Sequence, residues 1–193
     1  MIKKLLAILA VAVSAALVAP TSASAAETPK PGGTLRYGTV SEVSSLDPHV
    51  YVGSAWKVLM EAIYSTLVSF NQDGEMVPEL AESFETPDAR TFVFKLRQGI
   101  TFHDGTPLTA EDVKFSLERI QNPETGGTLR PNLEGATITV VDEHTVRIEK
   151  PQPDATLLSV LALPEASIVS KSWIESGPNV KAETNGTGPF MLK

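Results

Sequence analysis

The sequence predicts a mixed α/β fold in which strands and amphipathic helices follow one another along most of the chain. Three observations predict it. Phe92, Phe94 and Leu96 share one face of a run whose other face carries Lys95 and Arg97, the pattern of a half-buried strand. Ala110, Val113, Leu117 and Ile120 then recur at helical spacing. Residues 137–141 and 145–149 are β-rich runs flanking Asp142-Glu143-His144, a hairpin by its turn residues.

Taken in order, the chain begins with an address label. Met1-Ile2-Lys3-Lys4 is a short positive stretch, and Leu5 to Ala19 is apolar apart from Ser14, too short to span a bilayer comfortably. Pro20 breaks the helix, and Ala23-Ser24-Ala25 offers the small residues of a cleavage site, expected after Ala25 with Ala26 close behind. Residues 1–25 thus read as a signal peptide. They carry two lysines and no acid, so its removal takes the net charge from −7 to −9. The chain has no cysteine, which excludes disulfides, thiolate metal sites, a cysteine nucleophile and a lipid-anchored N-terminus. With 193 residues, 42% of them apolar and 20% charged, it has the length and composition to stabilise itself by core burial.

Glu27 to Gly33 is a Pro/Gly leader, and residues 34–40 alternate like a strand. Asp47-Pro48 makes a turn. Trp56, Leu59, Met60, Ile63, Tyr64 and Leu67 then recur at helical spacing, predicting a helix over roughly 54–66 with Ser54 as its N-cap. Residues 67–70 form a short strand closed by the turn at 71–74, and Pro78 to Ala81 suggests one helical turn. Thr109-Ala110-Glu111-Asp112 has the spacing of a capping box, and Phe115, opposite the apolar stripe of the helix it opens, predicts that this helix is covered on two sides. Pro153-Asp154 starts a helix through Leu163, 167–170 is strand-like, 171–176 is helical, and an apolar strand begins at 186–193.

Few residues suggest chemistry. An acidic balance, 23 Asp and Glu against 16 Lys and Arg with pI near 5.0, argues against a nucleic-acid binder. His49, His103 and His144 stand in loops or turns with no HxH or HxxxH pairing, and so read as surface turn residues rather than metal ligands. There is no GxSxG elbow and no phosphate-cradling glycine loop. Glu111-Asp112 and Asp142-Glu143 have structural uses in a helix start and a turn. An exported chain without a catalytic constellation reads as a binding protein rather than an enzyme.

The residues themselves carry a resemblance. Pro78-Glu79-Leu80-Ala81-Glu82-Ser83, residues 91–99, and Phe102-His103-Asp104-Gly105-Thr106-Pro107-Leu108-Thr109-Ala110-Glu111-Asp112-Val113 resemble the signature of extracellular solute-binding protein family 5. Gly33-Thr34-Leu35, Leu46-Asp47-Pro48, Val141-Asp142 and Gly186-Thr187-Gly188-Pro189-Phe190 support it. The resemblance implies a periplasmic-binding-protein-like, two-lobed α/β fold with an extra domain, here only the N-terminal part. Residues 26–65 and 153–193 would form part of the first lobe and residues 66–152 an inserted α+β domain, with the second lobe absent from this chain.

The implied function is that of a periplasmic receptor, soluble and without a lipid anchor, for an ABC importer. It would bind di- or oligopeptides as a monomer and hand them to the inner-membrane permease, with no cofactor, metal or nucleic acid involved. Nickel chelates or oligosaccharides are alternative cargoes of the same class, and an exported hydrolase using loop carboxylates or His103 is the alternative of a different class. The resemblance places ligand contacts after the Leu-Asp-Pro turn, at Val52, Gly53 and Ser54, with Tyr51 and Trp56 adjacent. Main-chain contacts there would suit peptides of varied sequence.

Overall fold

The structure, a computed structural model, describes residues 32–39, 42–50 and 53–193. The expected signal peptide and its cleavage site lie outside the described residues. The chain divides into two units, residues 1–38 and 39–193. In the first, the described residues carry no strand, and Leu35 and Tyr37 are exposed. Alternation supplies two faces, but a strand exists only through its ladder, so the strand expected over 34–40 is absent from its described part.

The second unit starts with α1, Ser54–Ile63, whose Trp56, Met60 and Ile63 are buried at the expected spacing. The N-cap is Gly53, not Ser54, and no side chain caps the helix. Two short antiparallel strands follow, β1 (Val68–Phe70) and β2 (Met76–Pro78), paired Val68 to Pro78 and Phe70 to Met76. Asn71 closes their turn, its Oδ1 accepting from Asp73 N and Glu75 N.

Where Pro78 to Ala81 suggested a helical turn, the chain instead bends and enters β3, Ala81–Asp88. The reason is competition for donors. Leu80 N donates to Thr66 O at 3.0 Å and Ala81 N to Leu67 O at 3.0 Å, so long-range partners take the amides that a turn of helix would use. Strand β3 edges a four-stranded antiparallel sheet that also contains β4 (Thr91–Leu96), β5 (Thr137–Asp142) and β6 (Thr145–Glu149), in the order β3-β4-β6-β5. Phe94 faces Val146 and Phe92 faces Ile148 across β4 and β6.

Helix α2, Ala110–Gln121, lays Ala110, Val113, Leu117 and Ile120 into the core of this sheet. Its capping box is formed, with Asp112 Oδ2 accepting from Thr109 N and Thr109 Oγ1, both at 2.9 Å. Short helices α3 (Arg130–Leu133), α4 (Leu157–Leu161) and α5 (Lys171–Glu175) complete the unit. Helix α4 is shorter than the sequence predicts because Asp154 closes a local turn on Thr156 N and Oγ1 instead of opening the helix. Residues 167–170 form no ladder, since Ile168 N donates to Ser65 O and Val169 N to Ser116 Oγ.

The apolar strand expected from Gly186 is also absent. Gly188 N donates to Ile63 O at 2.8 Å and Phe190 N to Ala62 O at 3.0 Å, so this segment satisfies the orphan carbonyls at the end of α1. The approach is tight enough that a Cβ on Gly188 would sit 2.5 Å from the Ile63 carbonyl carbon. Two hydrophobic clusters result. The larger joins the sheet to α2 and α4. The smaller gathers Leu46, Trp56, Met60, Ile63, Tyr64 and Val169, with Phe115 of α2 packed against it. Helix α2 is therefore covered on two sides, as Phe115 predicts.

Candidate functional site

Of the residues nominated from the sequence, Gly53, Ser54 and Trp56 lie at the start of α1. Tyr51 and Val52 are outside the described residues. Gly53 is half-buried with φ 122°, backbone that a side chain would strain. Ser54 is exposed in the first turn, and Trp56 is buried in the smaller cluster, forming a wall behind the helix start. The N-cap of α1 makes no side-chain hydrogen bond, and its first turn carries no acidic residue. The backbone N–H groups at a helix start are of a kind that suits a carbonyl or carboxylate acceptor. A cleft of about 370 Å³ opens farther along α1, where Lys57, Glu61, Thr66, Phe70, Glu79 and Leu163 line it; Gly53, Ser54 and Trp56 do not.

Just upstream, the Asp47–His49 turn is held by a buried polar cluster that sequence reasoning missed. Arg119 of α2 donates from Nη1 to Asp47 Oδ1 at 3.0 Å and from Nη2 to Asp47 Oδ2 at 2.6 Å. Its Nη1 also lies 2.6 Å from His49 Nδ1, while His49 Nε2 is 2.9 Å from Ser167 O. A guanidinium can only donate, so His49 accepts at Nδ1 and donates its Nε2–H to Ser167 O, a neutral tautomer. His49 is fully buried, not a surface turn residue, because its ring satisfies both nitrogens inside the protein. Asp47 Oδ1 also accepts from His49 N, and Thr128 N donates to His49 O.

The electrostatics follow from this geometry. Burial pushes the His49 pKa down to about 4, and the Arg119 charge adds to that against the opposing Ser167 hydrogen bond and Asp47 charge. Burial works to raise Asp47, but the hydrogen bonds and charge of Arg119, helped by His49, outweigh it and hold the carboxyl below its ordinary value. Tyr64, at the end of α1, is pushed up by burial and by the Asp47 charge. One signal could have found the cluster. Arg119 falls one turn after Phe115 on the face predicted to be covered, and a covered cation needs an anionic partner.

The other two histidines also serve the scaffold. His103 Nε2 lies 2.9 Å from Gly188 O and its Nδ1 accepts from Gly186 N at 3.3 Å, while Asn185 Nδ2 donates to Asp104 Oδ2 at 2.7 Å. The signature turn at 102–105 thus grips the segment that caps the end of α1. His144 is half-buried in the β5–β6 hairpin. Among the described residues no three His, Asp or Glu side chains come together in a way that could hold a metal ion.

Comparisons with known proteins identify the family. Residues 75–193 match the bacterial extracellular solute-binding proteins, family 5, middle region. The chain is 33% identical over 191 residues to the probable D,D-dipeptide-binding periplasmic protein DdpA of Escherichia coli K12, covering 92% of this chain and 37% of that protein. It is 30% identical to the periplasmic oligopeptide-binding protein OppA of the same organism, covering 87% of this chain and 35% of that one. Among solved structures, AgaA of A. tumefaciens R10 in complex with agropinic acid superposes with TM-score 0.74 and 41% identity, over 79% of this chain and 31% of that one. The Escherichia coli murein tripeptide binding protein MppA follows with TM-score 0.72 and 29% identity, over 79% and 34% of the two chains. The chain spans little more than a third of the length of these curated relatives. A signature read residue by residue, a matching family profile and a shared fold converge on one statement: the chain belongs to the bacterial extracellular solute-binding proteins of family 5.

Proposed function

We propose that this chain supplies the N-terminal portion of a periplasmic receptor that binds di- or oligopeptides between two lobes and delivers them to the permease of an ABC importer. The observation that carries the reading is the family match over residues 75–193, joined by relatives named for dipeptide and oligopeptide binding. In this reading residues 1–25 direct export and are cleaved, and the mature receptor is a soluble monomer without a lipid anchor. Residues 26–65 and 153–193 belong to the first lobe and residues 66–152 to the inserted domain. The smaller cluster supports the pairing of the two flanking segments, since Val169 packs there with Leu46, Trp56 and Met60. The backbone at Gly53 and Ser54 contributes solute contacts, Trp56 backs them, and solute is released unchanged.

A second cargo is favoured by a specific observation. The solved relative with 41% identity holds agropinic acid, which makes a small acidic conjugate the alternative to a peptide. Calorimetry on the full-length product with a panel of di- to oligopeptides and agropinic acid tests both. Stoichiometric binding of a peptide, with the peptide recovered intact by mass spectrometry, is expected. Binding of agropinic acid alone changes the cargo and leaves the receptor class standing, whereas turnover of a bound solute overturns the class.

A further inference from the structure

We propose that Asn185-Gly186 is a modification site: its asparagine deamidates through a cyclic imide, at a rate set by how firmly the turn at 102–105 holds the pair closed. Of the five asparagines in the sequence, only Asn185 precedes a glycine. Such a pair is prone to ring closure, because the following residue has no side chain to hinder attack by its backbone nitrogen. The fold nevertheless requires both residues. A Cβ on Gly186 would collide with the carbonyl oxygen of Ile63. Asn185 Oδ1 accepts from Asp104 N at 3.2 Å and its Nδ2 donates to Asp104 Oδ2 at 2.7 Å, a two-way fit that a carboxylate cannot give.

The reaction needs only solvent water. Gly186 N loses its proton and bonds to Asn185 Cγ, and the Cγ–Nδ2 bond breaks to release ammonia. Water then opens the ring. Cleavage of the new N–Cγ bond leaves aspartate, whereas cleavage of the old peptide bond leaves isoaspartate, with the main chain rerouted through Cγ. In the closed turn the reacting groups are all engaged. Gly186 N donates to His103 Nδ1 at 3.3 Å, Asn185 Nδ2 is tied to Asp104, and His103 N donates to Gly186 O at 2.9 Å. Asn185 is 2% exposed, so little water reaches the pair. Ring closure therefore waits for a local opening. Afterwards the turn cannot close as before. An aspartate at 185 sets a carboxylate against Asp104 Oδ2 where Nδ2 had donated, and like charges so close repel. Isoaspartate lengthens the chain just ahead of Gly188, whose N donates to Ile63 O at the end of α1. A transient opening is thereby fixed as a covalent change.

The test incubates the full-length protein in mildly alkaline buffer and follows residue 185 by peptide mapping, reading the mass gain of acid over amide and the isoaspartate fraction. Wild type is expected to convert at least about tenfold more slowly in buffer than in urea. His103→Ala removes the Gly186 acceptor and the tie to Gly188 O, and should convert several-fold faster than wild type in buffer. If that variant does not fold, Asp104→Ala, which frees only the Asn185 side of the turn, takes its place with the same expectation. Ser116→Val weakens the fold elsewhere, at the Val169 amide. Brought to equal stability with a little urea, it should stay slower than the turn variant. Asn185→Asp, made directly, should speed hydrogen exchange at Gly188 and Phe190, the amides that cap α1. Conversion in buffer as fast as in urea overturns the proposal, as does a wild type that stays unmodified in urea. So does a Ser116 variant that matches the turn variant, or wild-type exchange in Asn185→Asp.

Discussion

His49 shows how far one residue can depart from what its neighbours in sequence suggest. Its folded pKa of about 4 lies below the ordinary 6.5, so the unfolded chain takes up a proton that the folded chain refuses. The stabilisation is complete above about pH 6.5 and is lost as pH falls toward 4, on the order of 3 kcal/mol in all. The charges facing the ring are Arg119 and Asp47. Urea unfolding of the wild type should therefore weaken steeply over that window. His49→Gln, which can still accept from Arg119 and donate to Ser167 O, should flatten the slope; an unchanged slope would place the titration elsewhere. Gly53 makes a second residue-scale prediction. Its φ of 122° is open to glycine and strained for alanine, so Gly53→Ala should cost about 1–3 kcal/mol by chemical unfolding, and more if the helix start shifts. The stretch nominated at 51–56 came from a resemblance and not from any local pattern of its own. The Asp47–His49–Arg119 cluster was not, because 70 residues separate His49 from Arg119 and no local period joins them.

Elements that obey local rules were the ones the sequence could disclose. Phe92, Phe94 and Leu96 all point into the core from β4, and the capping box opens α2 where its four residues predict. Strand β3 escaped notice for a physical reason. Its residues Ala81–Asp88 are mostly exposed and rich in Glu, Pro and Asp, poor strand formers that an edge position tolerates once β4 provides the ladder. The turn of helix expected at 78–81 failed because Thr66 and Leu67 carbonyls claimed its amides. Asp112 is the element-scale test. Beyond the cap, its Oδ1 accepts from Lys171 N at 2.9 Å, so it starts α2 and α5 together. Thr109→Ala should cost about 1 kcal/mol, the usual value of a cap. Asp112→Ala should cost clearly more, since it also strands the Lys171 amide. Equal losses in thermal unfolding would mean that the tie to α5 carries no weight.

At the scale of the whole molecule, two clusters share one helix and one stretch of chain. Helix α2 turns Leu117 to the larger cluster and Phe115 to the smaller, and neighbouring residues Ile168 and Val169 divide between them in the same way. Ser116 sits at the seam, fully buried, its Oγ donating to Asp112 O at 2.7 Å and accepting from Val169 N at 2.9 Å. Neither cluster can lose its packing while α2 stays in place for the other, so residues 39–193 should unfold in one transition. Both tryptophans, Trp56 and Trp173, lie outside the sheet, whereas far-UV circular dichroism follows sheet and helices together. Denaturation curves from tryptophan fluorescence and circular dichroism should superimpose. Ser116→Val keeps the shape and removes the bridge, leaving the buried Val169 amide unpaired at a cost of about 1–3 kcal/mol. If the seam carries the coupling, the two curves separate in that variant, with fluorescence falling first. Curves that stay together at a lower midpoint would assign the coupling to the apolar packing of α2 instead.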